Sequence, residues 1–418
     1  MFHKILKINE LKIFIILAVI LMPDLFSQYR IASWIFAIIN IYIFVSLIIK
    51  KPSRSKLLIA WMLFNAYKLM LMIFNGNLAD LDRLAKLAIF TANGIMLIQL
   101  CVKKKITREL LSASSKLGVL FLLINIITII VYPDGIVSNL TGNYYFLGTR
   151  VNFLRYIFPF LAASGLYFIY YKNWKYLLNI LFMSIFMIVK FQVSTAIASF
   201  IVIVIMLLLK KPLSMVLNTK RIIICTLILN IGFIFLNAAE FYKWFIVSVL
   251  HKDVTLTSRM YIWKLALGQI VENPFKMIIG HGIINDGAFV FFSGLYWPAH
   301  SQLLQFVYEV GIVGTVAFFA YIVYHTKKID GGSVDAYFIM TIFTSIMIAC
   351  ISSQLFETPG VLLCICFMYH VKSFRIEAQG SDKKIINLNN GHKNRLFRRR
   401  ILNGIREERQ SADAEIFI

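Results

Sequence analysis

The feature that most constrains this chain is a succession of apolar runs, each close to the ~20 residues a helix needs to cross a bilayer core of about 30 Å. They fall at residues 13–29, 31–49, 57–75, 87–102, 117–132, 157–171, 175–189, 192–209, 222–237, 303–325, 337–354 and 357–371. The chain is 418 residues long, 59% hydrophobic and only 15% charged. A soluble domain is about a quarter charged and could not bury so much apolar surface. The expected fold class is therefore an all-α polytopic membrane protein of about 12 transmembrane helices, with residues 1–371 forming the helical domain. No Ala-x-Ala-like site follows Met1–Glu10, so no cleavable leader is expected.

A formal net charge of +23 would suggest nucleic acid if the charges were spread over a surface, but they cluster between the apolar runs. With the N-terminus inside, the cytoplasmic segments hold 31 of the 43 Lys and Arg residues, which is the bias that sets membrane orientation. Both termini are then cytoplasmic. Residues 372–418, with Arg398-Arg399-Arg400, form a basic cytoplasmic tail suited to anionic lipid heads. The tail lacks the interleaved aromatics that stack on bases, so no nucleic-acid partner is expected. The five cysteines lie in or beside apolar runs; Cys364-x-Cys366 has neither redox nor zinc spacing, and no metal is expected.

Two outer segments stand out, residues 133–156 and 238–302. The second is a large extracytoplasmic loop between spans 9 and 10. It carries Phe241, Tyr242, Trp244, Phe245, Trp263, Phe291, Phe292, Tyr296 and Trp297, a composition that favours the membrane interface. Within it, Thr257 or Ser258 can cap a helix beginning near Arg259. Trp263, Leu267, Ile270 and Val271 recur at helical spacing, and Asn273-Pro274 ends the run.

His300 follows Pro298 at the mouth of an apolar helix, and Gln302, Gln305 and Glu309 form a polar stripe down that helix. Polar groups are costly inside a membrane helix and face either a cavity or a partner helix. The stripe alone leaves both open. On one regular helix His300 and Glu309 point opposite ways, so Glu309 is expected to support the fold, and Gly311 and Gly314 to permit a close helix contact. Arg259, Arg150 and Arg155 stand outside against the charge bias. Guanidinium groups suit phosphate because their planar donors bind oxygens in pairs, although a single such Arg can equally pair with a lipid head or a surface carboxylate. His281, between Gly280 and Gly282, reads first as a tight turn and second as a substrate contact. Asp80-x-Asp82 has the spacing of a metal–nucleotide-sugar pair and equally that of a solvated loop. Nucleotide-binding, zinc-protease and serine-hydrolase signatures are lacking.

Ser258-Arg259 and Trp263, then Pro274, Gly280-His281-Gly282, His300-Ser301-Gln302-Leu303 and Glu309-x-Gly311-x-x-Gly314 together resemble the O-antigen ligase and O-antigen/capsular polysaccharide polymerase family. The motif spans about sixty residues, and the twelve-span layout with its large outer loop covers nearly the whole chain. Ser301 stands where the family commonly has Asn, and Ser194-Thr195-Ala196 lacks the Arg often found near the eighth span; Arg150 or Lys190 are the substitutes at hand. The resemblance implies a fold like that of the C-type membrane glycosyltransferases and transfer of a glycan from undecaprenyl pyrophosphate to an acceptor hydroxyl on the outer face of the bacterial cytoplasmic membrane. His300 would act as base or orient the acceptor, Arg259 would stabilise the departing pyrophosphate, and no metal, cofactor or nucleotide sugar would be needed. Arg150, Arg155, Gln302, Gln305 and His281 are the candidate substrate contacts. The expected partners are the lipid-linked oligosaccharide, the bilayer, and a chain-length regulator and flippase of the same pathway. Within the family the alternatives are a repeat-unit polymerase for capsule, exopolysaccharide or O-antigen, and a ligase to lipid A-core. A transporter or flippase of the same lipid-linked sugar is the alternative from another class.

The charge bias makes orientation testable. A cysteine introduced at Asp286 is expected to react with a membrane-impermeant thiol reagent in intact cells. Labelling only after lysis would reverse the orientation.

Overall fold

The computed structural model describes residues 2–50, 55–76, 78, 80–139, 142–214, 216–235, 259–282, 289–290, 296–297, 299–327, 329, 332–356 and 358–380. The chain divides into two compact units, Met1–Val371 and Lys372–Ile418; of the second, residues 372–380 are described and are helical. The first is mostly helical: α1 (Phe2–Ile20), α2 (Arg30–Ile49), α3 (Lys56–Phe74), α4 (Leu81–Lys103), α5 (Thr107–Val131), α6 (Leu154–Tyr171), α7 (Lys175–Phe191), α8 (Ser194–Leu208), α9 (Lys210–Leu213) and α10 (Thr219–Phe235). After these come α11 (Arg259–Glu272), α12 (Pro274–Ile279), α13 (Gln302–Thr326), α14 (Val334–Ala349) and a last helix, α15, over residues 359–371. Two short antiparallel ladders, Val137–Asn139 with Gly142–Tyr144 and Phe289–Val290 with Tyr296–Trp297, complete the described elements.

A helix stands at each apolar run. Among the described residues, five (α2, α3, α4, α5 and α13) are long and apolar enough to cross a membrane by length and composition. Their polarity is distributed as in a membrane-embedded protein. On α2 the exposed side carries Ile31, Trp34, Ile35, Ile38, Tyr42, Val45 and Ile49, whereas Ser33 and Asn40 point inward. Buried amides then act as interhelical ties. Asn93 of α4 donates to the Asn40 carbonyl and side-chain oxygens at 2.9 and 3.0 Å, and Asn40 donates to Val19 O of α1 at 3.1 Å. Ser345 of α14 donates to Ser199 O of α8 at 2.6 Å.

The element that shapes the rest is a break in α13. At Gly311 the backbone leaves the helical region, with φ 67° and ψ −179°. Such a break releases carbonyls that would otherwise accept from the next turn, and inside an apolar bundle each needs a new donor. The Gly280-His281-Gly282 segment supplies two. His281 N–H donates to Tyr308 O and Gly282 N–H to Glu309 O, both at 2.9 Å. From α3, Tyr67 O–H reaches Ile279 O at 2.6 Å and Val310 O at 3.3 Å. Glycine is required on both strands of this junction. Gly280 has φ 103°, where a Cβ would collide with Glu309 O, and a Cβ on Gly311 would collide with Ile278 O. Gly314 faces Val310 and the Tyr67 ring, where a Cβ would stand 2.6 and 2.9 Å away.

Three local expectations change. The first apolar run was expected over 13–29, but α1 ends at Ile20 and Asp24–Gln28 form a short 3₁₀ turn. Asp24 therefore caps the bundle end instead of interrupting a span. In α11 the buried face is Ile262, Trp263, Ala266 and Ile270, while Val271 is exposed. Asn273-Pro274 does end that helix, but it also starts α12: the Asn273 side chain accepts from Lys276 N–H at 3.1 Å and Pro274 occupies the first turn. The proposed caps Thr257 and Ser258 lie outside the described residues.

Gly280→Ala is expected to destabilise the protein by about 1–3 kcal/mol from the backbone conformation alone, lowering the apparent melting temperature of the solubilised protein by several degrees. Gly268→Ala on α11, where an added Cβ meets nothing within 4 Å, should leave it unchanged or raise it slightly. Equal melting temperatures for the two variants would remove the junction's special status.

Candidate functional site

Helix α11 lays Trp263, Ala266 and Ile270 against Ala299, Leu304 and Tyr308 at the start of α13, forming one apolar cluster. Because α11 starts at Arg259, this packing sets the arginine beside His300. His300 lies outside the helix, in the left-handed region with φ 48°, a conformation uncommon for a side chain of its size. Burial, and after it the positive charge of Arg259, push the imidazole down to about 4. Burial also lowers the Arg259 guanidinium from its ordinary value. A neutral imidazole beside a partly desolvated cation at the first turn of a helix is an arrangement that favours an anion.

The polar stripe below His300 splits in two. Gln302 accepts from Phe356 N–H at 2.9 Å, its own N–H donates to Cys350 O at 2.9 Å, and its buried Nε2 has no partner among the described residues. The indole N–H of Trp263, also buried, is in the same position. Gln305 is the hub. Its Oε1 accepts from Ala299 N–H at 3.1 Å and from Gln354 Nε2 at 2.7 Å, and its Nε2 donates to Glu309 Oε1 at 2.8 Å. The other Glu309 oxygen meets Lys68 Nζ at 3.4 Å, with both side chains almost fully buried. Lys68 also lies over the rings of Phe64 and Phe306 at 5.4 and 5.5 Å.

The network continues outward. Arg155, in the first turn of α6, donates to Gln354 O at 3.1 Å and approaches Asp24 at 3.9 Å. Asp24 also accepts from Asn152 at 2.9 Å and Tyr156 at 3.1 Å, and Gly148 leaves room for it. The structure thus brings together Arg155, Gln305 and Glu309, with Arg155 engaged inside the protein. Arg150 is exposed near Tyr145 and Asp134, apart from this chain of bonds. His281 stacks flat on Tyr308, with centroids 4.2 Å apart and planes 3° off parallel, and its Nδ1 lies 3.1 Å from Tyr308 O. Its place is the α13 junction, and burial lowers its pKa. Lys190 is exposed at the end of α7. Asp82 pairs with Lys86 at 3.2 Å, while Asp80 is buried before α4. Among the described residues no group of three His, Cys, Asp or Glu side chains could hold a metal ion.

Lys68, Tyr67 and Gln354 were missed by the sequence reading. For Lys68 there was a signal: an ionisable residue inside an apolar run, on the same helical face as Trp61 and Asn65.

His300 titrates below its unfolded value of about 6.5, so the unfolded chain binds more protons between about pH 4 and 6.5. Its contribution to stability is fully present above that window and is lost as pH falls through it. Carbethoxylation of His300, which requires neutral imidazole, should persist until pH approaches 4, and Arg259→Gln should move the midpoint upward. A wild-type midpoint near 6.5 by peptide mass spectrometry would contradict the arrangement. Comparison with known protein families, curated proteins and solved structures found no match for this chain.

Proposed function

We propose that the chain is a metal-independent membrane glycosyltransferase, a polymerase joining undecaprenyl-pyrophosphate-linked repeat units of a surface polysaccharide on the outer face of the bacterial cytoplasmic membrane. All twelve helices at the apolar runs would be spans, with residues 238–302 outside and both termini cytoplasmic. The observation that carries the reading is the juxtaposition of Arg259, at a helix N-terminus, with a neutral, largely buried His300. The acceptor hydroxyl attacks the anomeric carbon of the donor and gives its proton to His300. The bond from that carbon to the pyrophosphate oxygen breaks, and the lipid pyrophosphate leaves with the electron pair, held by Arg259. An imidazole held near 4 is a weak base in the empty site. A bound pyrophosphate would offset the charge of Arg259 and favour protonation of His300, so basicity would rise when the donor is in place.

The break in α13 favours a second reading, since transporters build binding sites from discontinuous helices. Here, however, Tyr308 O and Glu309 O are taken by the amides of His281 and Gly282. A break closed by the protein's own backbone supports a rigid platform more than a substrate port.

In cells, His300→Ala should accumulate at normal level in the membrane while polymer disappears and lipid-linked single repeats build up. Arg259→Lys, which turns a planar fork into a point donor, should lose on the order of 10–100-fold in transfer, as for one charge-assisted hydrogen bond of about 1.5–3 kcal/mol. Polymer at wild-type level in His300→Ala would remove the residue from the mechanism. Polymer accumulating on the lipid carrier with none on lipid A-core would favour a ligase.

A further inference from the structure

We propose that Lys68, on α3, is a positioning residue for His300, acting through Glu309 and Gln305. Its catalytic meaning rests on the reading of His300 given above; the placement itself does not.

The relay is fixed by which atoms can donate. Ala299 N–H can only donate, so the Gln305 atom facing it at 3.1 Å is the carbonyl oxygen. The amide group must then point the other way, toward Glu309 Oε1 at 2.8 Å. Glu309 holds it there because its second oxygen faces Lys68, which offsets the carboxylate's charge inside an apolar bundle. Without that acceptor the Gln305 amide keeps only the two donors on its oxygen, Ala299 N–H and Gln354 Nε2, and its grip on Ala299 N–H loosens. Ala299 immediately precedes His300, whose left-handed backbone is pinned on the other side by Gln302 N–H on Cys350 O and by Phe356 N–H on Gln302 Oε1. The bond to Gln305 is the fastening on the near side of the strained residue.

A buried ion pair is a poor device for stability alone, because well-packed apolar residues serve as well or better. What Lys68–Glu309 adds is a compensated carboxylate that serves two partners, one oxygen each. Gln305, with Gln354 on its other face at 2.7 Å, couples that carboxylate to the turn after α14 as well.

The test uses the full-length protein in nanodiscs, reading carbethoxylation of His300 by peptide mass spectrometry at neutral pH, alongside polymer formation in cells. K68M/E309Q removes both charges and leaves an amide oxygen that can still accept from Gln305. K68M/E309L removes the acceptor. His300 in K68M/E309L is expected to react roughly fivefold faster than wild type, the factor that one hydrogen bond of about 1 kcal/mol carries. K68M/E309Q should react at the wild-type rate and keep polymer formation. K68M alone leaves Glu309 buried without its counter-charge and is expected at reduced level in membranes; the two charge-free variants decide the question. A wild-type rate in K68M/E309L, or equally fast rates in both double variants, would overturn the relay. The expected rates together with normal polymer in His300→Ala would leave the positioning intact and sink the proposed transfer reaction.

Discussion

Inside an apolar bundle no backbone carbonyl can be left without a donor, and the interruption of α13 at Gly311 brings this constraint to bear on the whole second half of the protein. An interrupted helix in water would be solvated. Here Tyr308 O and Glu309 O are met by the amides of His281 and Gly282, and the α3 hydroxyl of Tyr67 ties Ile279 to Val310. Each unmet group would cost several kcal/mol in hydrocarbon. The glycines on both sides are therefore steric necessities. They bring α12 onto α13 at backbone distance, and α11, joined to α12 at Asn273-Pro274, is held against the start of α13 by the cluster around Trp263. Arg259 and His300 meet because of that docking.

The second ordering principle is charge. A continuous series of polar contacts runs from Asp24 through Arg155, Gln354, Gln305 and Glu309 to Lys68, joining the end of α1, α6, the turn after α14, α13 and α3. Every ionised member meets an opposite charge. Arg155, a candidate substrate contact, is engaged by Gln354 O and Asp24, which the turn after α1 sets beside it. Arg259 differs from it: the charge that most affects its neighbour is its own, acting on His300. In the proposed reaction an arriving pyrophosphate supplies the opposite charge at that point and ties the basicity of His300 to donor binding.

Much of the helical layout was readable. A helix lies at each of the twelve apolar runs, since apolar length and a shortage of charge leave few other ways to satisfy the backbone. Helix ends were read less well. The first run reaches past the helix because Leu21, Met22, Leu25 and Phe26 carry the apolar pattern into the turn, and Val271 shares the helical spacing of Trp263 and Ile270 but is exposed, because spacing alone does not say which side of a helix meets a neighbour. In the site, the polar stripe Gln302, Gln305 and Glu309 was visible, but its destinations were not. Gln302 turns to the 350–356 segment, whereas Gln305 and Glu309 turn to one another and to α3.

From the amino-acid sequence alone come the helical, membrane-embedded character, the outward apolar faces, and a short set of polar residues too costly to be accidental in apolar runs. These follow from local composition and period, which depend on neighbours along the chain. The tertiary structure decided the pairings: Lys68 with Glu309 across 241 positions, Gly280 against Glu309 O, Asp24 with Arg155, and Arg259 beside His300. A buried charge or a broken helix must find a partner, but its own sequence neighbourhood does not name it. Only the packing of distant helices brings the two together.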